Sequence, residues 1–142
     1  MIKNLKYYLD EGAFEPVRAH DADAGMDFRS RETVVLKRHG SAVFNTGVHI
    51  DVPKGYALFL KAKSGLNVKY DIIGTGVIDA GYTGAIVVKL YNLGKKKYII
   101  TKGDKIIQGV LIKVETPILD KVDHFTSTAS DRQNGGFGST GK

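Results

Sequence analysis

Short strand-forming runs, separated by glycine- and aspartate-containing turns, follow one another along most of the chain and constrain its fold more than any other feature. The chain is rich in residues that favour strands, with 13 Val, 12 Ile, 9 Thr and 7 Tyr. In residues 84–91, for example, Ile86, Val88 and Leu90 alternate with other side chains and share one face. No window sustains a helical period of 3.6 over three turns. The pattern therefore predicts an all-β sandwich or barrel.

Further runs extend this prediction along the chain. Compact strands are expected at residues 33–36, 42–45, 48–51 and 56–61. Residues 105–114 are apolar on both faces, which predicts a strand buried on both sides. The segment 76–84 has the turn residues of a tight hairpin. Only residues 64–67 invite a helical turn, which Ser64 would cap and nothing would sustain.

Length, cysteine content and charge exclude several classes of protein. A chain of 142 residues without cysteine is expected to form one domain, with no disulfide, no thiol nucleophile and no cysteine-bound zinc. It lacks a long apolar run, and residues 1–10 carry Lys3 and Lys6 and no cleavage site, so a cytoplasmic protein is expected. The net charge of +6 suggests an anionic partner, although scattered lysines equally favour solubility.

The C-terminal segment differs in composition from the rest of the chain. From residue 126 onward it is rich in glycine, and Phe137 is its only large apolar residue. Such a segment buries too little surface to order itself, which predicts a β-domain at residues 1–125 and a flexible arm at residues 126–142. Glycine N–H groups, hydroxyls and Arg132 suit phosphate oxygens, and Phe137 suits stacking on a nucleobase.

Four further segments combine acidic, basic or hydroxyl side chains with glycine near the ends of predicted strands. They read AGMDF at residues 24–28, AKSGL at 62–66, GVIDAGYTG at 76–84 and KGDKIIQ at 102–108. With GGFGSTG at residues 135–141, they resemble in order and spacing the five motifs of the trimeric dUTPase family, the deoxyuridine triphosphate pyrophosphatases. The third and fifth motifs are highly specific, and together the five span nearly the whole chain.

The resemblance implies a fold, an assembly and a reaction. The family has a distorted jelly-roll (β-clip) fold and forms a homotrimer. Its three active sites lie at subunit interfaces, and the C-terminal arm of one subunit closes over a site built by the other two. The implied reaction is hydrolysis of dUTP to dUMP and pyrophosphate with Mg²⁺, which keeps uracil out of DNA and supplies dUMP for dTMP synthesis. No nucleic-acid or membrane partner is implied.

The resemblance also implies a role for residues of the third motif. Asp79 would orient or deprotonate the water that attacks the α-phosphorus, since a general base must lie within hydrogen-bond reach. Tyr82 would pack under the deoxyribose and exclude a 2′-hydroxyl. Backbone groups of Gly74, Gly76 and Ile78 would read the uracil edge. Without the motif, these residues equally suit a turn aspartate, a core aromatic and hairpin glycines.

The other motifs are implied to hold the phosphates, the metal and the base. The implied phosphate ligands are Ser64, Gly65, Gln108, Arg132, Gly138, Ser139 and Thr140. Phe137 would stack on uracil, with Phe125 as a second candidate that suits the core equally well. Asp27 would hold Mg²⁺ through water, because this ion keeps several waters and binds mainly substrate phosphates. From its position alone, Gln108 also suits a satisfied buried amide.

One departure from the family pattern affects the site. Lys63 stands where the family usually has arginine, so a bidentate contact becomes a point charge whose partner is open. The alternatives are a dCTP deaminase relative, a non-catalytic regulatory protein on the same fold, and a basic single-strand binder. The retained Asp27, Asp79, Gln108 and Arg132 argue against the single-strand binder, and the GGFGSTG tail argues against a deaminase relative.

Overall fold

The computed structural model describes residues 2–126, 135–138 and 141. In this part of the chain, strands alternate with turns, and there is one short helix. The elements are β1 (Tyr7–Leu9), β2 (Gly25–Arg29), β3 (Val34–Leu36), β4 (Ser41–Asn45), β5 (Val48–Ile50), β6 (Tyr56–Ala62), α1 (Ser64–Tyr70), β7 (Ile72–Ile73), β8 (Thr75–Asp79), β9 (Val87–Asn92), β10 (Tyr98–Ile100) and β11 (Lys105–Lys113).

The strands form small antiparallel sheets. The largest has the order β2-β11-β6-β8, a second has the order β4-β9-β7, and two strand pairs join β1 to β5 and β10 to β3. Most neighbours are distant in sequence, so the chain crosses repeatedly between sheets. This architecture confirms the prediction of an all-β fold with very little helix.

A single apolar cluster lies between the sheets. Its largest fully buried side chains include Phe28, Phe44, Leu58 and Leu90. Ile86, Val88 and Leu90 are each at most 1% exposed, so the predicted apolar face of this segment is the core face. The cluster fixes the strands that carry the candidate site residues.

Most predicted strands are confirmed to within a few residues, but the hairpin at residues 76–84 is wrong. β8 pairs with β6, whereas β9 pairs with β4 and β7, so the two strands belong to different sheets. The connecting residues instead bond to the start of β5 and to the residues just before it: the Ile86 N–H donates to the Val48 carbonyl, and the Ile86 carbonyl accepts from Thr46. The chain uses this connection to cross from one sheet to another.

The long strand β11 is only partly buried on both sides. Ile106 and Ile107 are completely buried next to a register shift in the pairing with β2, whereas Ile112 is 40% exposed. The predicted burial of both faces is therefore wrong for the second half of the strand in a single protomer.

The helix is longer than predicted. Lys63 occupies the N-cap with no side-chain cap, and Ser64 is the first helical residue rather than the cap. Leu66 packs on the core, and Asp71 closes the C-terminus with a left-handed φ of 54° and an N–H bond to the Asn67 carbonyl. Core packing and this C-cap sustain two turns where local sequence predicts one.

Beyond β11 the described chain leaves the core. Residues 115–126 are exposed and contain no strand or helix. No helix in the described part of the chain is long and apolar enough to cross a membrane. The predicted boundary between a domain at residues 1–125 and an arm at 126–142 stays a prediction.

Candidate active site

Asp79 ends the edge strand β8 as an exposed residue. Its backbone carbonyl accepts a hydrogen bond from the Tyr82 N–H at 3.3 Å, which closes the turn. Its carboxylate makes no hydrogen bond or ion pair with the residues that the structure describes. A turn aspartate that caps backbone N–H groups would be bonded, so the geometry favours a carboxylate that is free to act on a ligand.

Tyr82 lies on the same turn and is 45% exposed, so it is not a core aromatic. Its hydroxyl donates to the Ala85 carbonyl at 3.0 Å, which folds the ring back over Gly84. A Cβ added at Gly84 would overlap the tyrosine ring. Gly84 therefore leaves room for the Tyr82 ring, a role that sequence reasoning did not assign.

The proposed uracil-reading segment lies on the free side of β8. Among the described strands, β8 pairs with β6 alone, so alternate backbone N–H and C=O groups of its outer edge remain available. Gly74 and Gly76 also have packing reasons to be glycine. A Cβ would lie 2.8 Å from Leu90 at the first position and 3.2 Å from Leu60 at the second.

Asp27 lies in β2 and is only 5% exposed. Its Oδ1 accepts from the Lys63 ammonium, and its Oδ2 lies 3.1 Å from Lys105 Nζ. Burial by itself raises the pKa of Asp27, but the hydrogen bonds from Lys63 and Lys105 outweigh it and hold the pKa below its usual range. The partner of Lys63, which sequence left open, is therefore Asp27.

Gln108 of β11 lies directly opposite Asp27 and beside Lys61. Its Nε2 donates to the Ala62 carbonyl at 3.2 Å, so the amide has the structural bond of the alternative interpretation. A Cβ at Gly25 would overlap the Gln108 carboxamide oxygen. Gly25 thus makes room for the amide, which is half-buried and borders the two lysines.

Ser64 and Gly65 open α1 immediately after Lys63, and both are exposed. A Cβ at Gly65 would meet no atom within 4 Å, so nothing in the described protomer requires glycine there. The start of the helix, Gln108 and the two lysines around Asp27 (Lys63 and Lys105) form one surface, the phosphate-binding surface.

The structure does not bring Asp79 to the phosphate-binding surface. Asp79 is opposite Ala57 of β6 and Gln108 is opposite Lys61, which is four residues or about 13 Å along the strand. Between them, Val77, Phe59 and Val110 lie side by side on the same face of the sheet. A triphosphate would have to cross this apolar row to reach both groups in one protomer.

The arm residues are only partly described. Arg132, Ser139 and Thr140 lie outside the described residues. Phe137 and Gly138 are exposed, with φ angles of 49° and 87°. Phe125 is 87% exposed and does not join the core of this protomer, so both phenylalanines stay candidates for stacking on uracil.

Sequence reasoning missed three residues near these groups. Lys105 lies in a quoted motif but received no role, although a buried carboxylate beside it requires a cation. His49 and Asp10 form a hydrogen-bonded pair close to Tyr82, and their only sequence signal is one polar residue between the buried Val48 and Ile50. No cluster of three or more histidine or acidic side chains suited to a metal occurs among the described residues.

Comparison with known proteins gives consistent matches. A family model described as dUTPase matches residues 13–141. The deoxyuridine 5′-triphosphate nucleotidohydrolase of Paramecium bursaria Chlorella virus 1 is 42% identical over 134 residues, covering 94% of each chain.

Two solved structures are also similar. The Staphylococcus bacteriophage 80alpha dUTPase with dUPNHPP has a TM-score of 0.92 and 33% identity, covering 99% of this chain and 100% of that one. A mutant DUTPase from phage phi11 of S. aureus, which coordinates a structural Mg(II) ion, has a TM-score of 0.80 and 33% identity. The match covers 87% of this chain and 99% of the phi11 chain.

Proposed function

The chain belongs to the dUTPase family, and we propose that it hydrolyses dUTP to dUMP and pyrophosphate at sites shared between protomers of a homotrimer. The protein is a dUTP diphosphatase with the all-β fold of that family. The observation that carries the proposal is that an apolar row (Val77, Phe59 and Val110) separates the free Asp79 carboxylate from the phosphate-binding surface. Each half is suited to one end of a nucleotide, and neither half is a complete site.

Association of protomers resolves this separation. If the outer face of the largest sheet packs against other copies, Asp79 of one protomer meets the phosphate-binding surface of the next. Val77 is 52% and Ile112 40% exposed on that face, which gives it the apolar surface that an interface needs. In the segment after β11, Ile118 and Leu119 are 95% and 94% exposed and offer further apolar surface.

Asp79 accepts the proton of the attacking water in the proposed mechanism. The carboxylate is exposed and unpaired within the described protomer, so it is available as an acceptor. Tyr82, held over Gly84, supports the deoxyribose and leaves no room for a 2′-hydroxyl. The free edge of β8 at Gly76 and Ile78 pairs with uracil, since backbone N–H and C=O groups match a pyrimidine edge.

The phosphate-binding surface binds the triphosphate. Ser64 offers a hydroxyl, Gly65 allows close approach to the backbone, and Gln108 lies beside them with its amide. Arg132, Gly138, Ser139 and Thr140 of the arm close over the phosphates from another protomer, and Phe137 covers the base. Closure excludes water and strengthens the electrostatic contacts.

Magnesium fits this protomer only as an ion that the substrate brings. Both Asp27 oxygens accept hydrogen bonds from lysines, so neither of them is free to coordinate a cation directly. The triphosphate supplies the ligands, and Asp27 contacts the ion through water, as suits an ion that keeps several waters. When bound, the ion neutralises the triphosphate and polarises the α-phosphate.

Release of pyrophosphate from a panel of nucleotides tests the proposal. With Mg²⁺, we expect rapid release from dUTP and far less from dCTP, dTTP and UTP. The variant Asp79→Asn should fold like the wild type and lose at least about 100-fold in kcat, because it loses the general base. Asp21→Asn, which changes another exposed aspartate, is the matched control. Ammonia release from dCTP would instead support a deaminase, and no turnover of any nucleotide would support a non-catalytic regulator.

A further inference from the structure

His49 links two parts of the protomer that are far apart in sequence. Its Nε2 lies 2.9 Å from Asp10 Oδ1, and its Nδ1 lies 2.8 Å from the Thr83 carbonyl oxygen. The side chain is 14% exposed, and its ring stacks on Tyr8 with centroids 4.1 Å apart and an angle of 11°. The ring is therefore fixed in both position and orientation.

Both hydrogen-bond partners of His49 are acceptors. The Thr83 carbonyl has no proton to donate, and an ionised Asp10 carboxylate has none either. A neutral imidazole donates from one nitrogen only and would direct a lone pair at the other acceptor. Only the imidazolium donates both bonds, so the geometry selects the protonated ring.

The charges around the ring agree with this. The Thr83 carbonyl raises the pKa of His49 above its ordinary value and the Asp10 carboxylate adds to the shift, although partial burial opposes it. A cavity of about 260 Å³ borders the ring, and its titratable lining groups besides His49 are Lys6, Tyr7, Tyr8, Asp51 and Tyr82.

Thr83 connects this pair to the candidate active site. It follows Tyr82 directly and belongs to the turn that begins at Asp79. His49 lies in β5, which pairs with β1 at Tyr8. The Thr83 bond therefore holds the turn against the β1–β5 pair.

We propose that His49 is a positioning residue for nucleotide binding: its imidazolium joins Asp10 to the Thr83 carbonyl and fixes the turn that carries Tyr82. This inference rests on the proposed function, because it requires Tyr82 to contact the deoxyribose. His49 itself touches neither the substrate nor the attacking water.

The consequence is a pH dependence of nucleotide affinity. Since the folded pKa of His49 is raised, the tether is fully present below the ordinary value of about 6.5 and is lost as the pH rises through the raised value. Above that value, one bond is lost and the turn is less well fixed. KM for dUTP should then rise about fivefold, with a smaller change in kcat.

The experiment combines NMR with kinetics. Titration of the His49 ring nitrogens by NMR should give a pKa above 6.5, and Asp10→Asn should lower it. The variant His49→Asn keeps a donor for Thr83 but does not titrate, so its KM should be raised at pH 6 and should lack the alkaline rise. Titration of the substrate phosphates affects every variant equally and cancels in the comparison.

His20→Asn is the matched control, because His20 also lies beside an aspartate but is 82% exposed. It should keep the wild-type KM profile. A His49 pKa at or below 6.5, or identical KM profiles for wild type and His49→Asn, would overturn the inference. Absence of dUTP turnover at every pH would contradict the proposed function instead, and the NMR titration together with binding of dUPNHPP would still decide the role of His49.

Discussion

At the scale of single residues, Asp27 illustrates how a buried carboxylate is kept charged beside an anionic ligand site. Lys63 and Lys105 each occupy one of its oxygens, and their own side chains remain 26% and 34% exposed. The ammonium groups thus offset the burial of the acid while staying accessible from solvent. This arrangement places net positive charge beside Ser64, where the triphosphate is proposed to bind.

We expect Lys105→Met to destabilise the protein by about 1 to 2 kcal/mol at pH 7. The cost lies below that of breaking a fully buried pair, because both lysines reach solvent. The folded pKa of Asp27 is lowered, so its contribution is present above the ordinary value of about 3.8 and is lost as the pH falls through the lowered value. Urea unfolding at pH 7 and at acid pH measures this.

The difference between variant and wild type should shrink once Asp27 is protonated in both. Lys102→Met, an exposed lysine on the preceding turn, should change stability little at either pH. Equal stability of Lys105→Met and wild type at pH 7 would show that Lys63 alone compensates Asp27.

The roles of the site residues stay predictions, and several of their contacts were not predictable from the sequence. Asp79 and Tyr82 are exposed, as groups that bind a ligand must be. The bond between Lys63 and Asp27 was not predictable, because 36 residues separate them. They come together because β11 pairs with β2 on one side and with β6 on the other. His49 escaped for the same reason, since both of its partners lie on other segments.

At the scale of elements, helix α1 contains a glycine, Gly65, that no packing contact in the described protomer explains. Val68 is 81% exposed within the helix, and Gly65 contacts nothing that would exclude a methyl group. Gly65 is the second residue of the helix, and glycine loses more backbone freedom on folding than alanine, so an unconstrained glycine there requires another explanation. Close approach of a phosphate to the backbone provides one.

The variant Gly65→Ala should therefore raise stability and weaken binding together. We expect a gain of about 0.5 to 1 kcal/mol in the free energy of unfolding. KM for dUTP should rise, because the added methyl group occupies the space of the phosphate. Val68→Ala is the control in the same helix: it should also stabilise but leave KM unchanged. An unchanged KM for Gly65→Ala would show that Gly65 does not belong to the phosphate-binding surface.

Elements were predictable where one face of a strand is buried, as in β6 and β9. They were not predictable where long-range pairing decides the path. Residues 76–84 have the composition of a hairpin, yet the bonds of Ile86 to Val48 and Thr46 take the chain into another sheet. The helix was underestimated because the contact of Leu66 with the core is invisible in local sequence.

At the scale of the whole molecule, the arm is the segment whose role depends most on assembly. Among the residues that the structure describes, deleting positions 132–142 removes no strand, helix or core residue. The truncated protein should keep its thermal stability and the mass of three truncated chains, while turnover falls at least about tenfold. Light scattering and pyrophosphate release measure these. Unfolding of the truncated protein would show that the arm is structural.

The same assay distinguishes the two phenylalanines. Phe137→Ala and Phe125→Ala both change exposed aromatic residues, so neither should affect stability. Only the side chain that covers the base should raise KM for dUTP. We expect this of Phe137, because it lies within GGFGSTG, the fifth of the motifs that resemble those of the dUTPase family.

The sharing of sites between protomers has a quantitative consequence for mixed trimers. Asp79→Asn inactivates one half of the site, and Ser64→Glu inactivates the other, since an exposed carboxylate there repels the triphosphate without disturbing the start of α1. Co-refolded one to one, two inactive variants should regain about one quarter of wild-type activity, because a site works only when each half comes from the chain that is intact there.

A second mixture tests the same geometry from the other side. The double variant carrying both changes, co-refolded one to one with wild type, should leave about one quarter of the sites active if the halves come from different protomers. If both halves belonged to one protomer, this mixture would keep about one half of the activity, and the mixture of single variants would regain none. The two mixtures give equal activity only in an oligomer that builds each site across an interface.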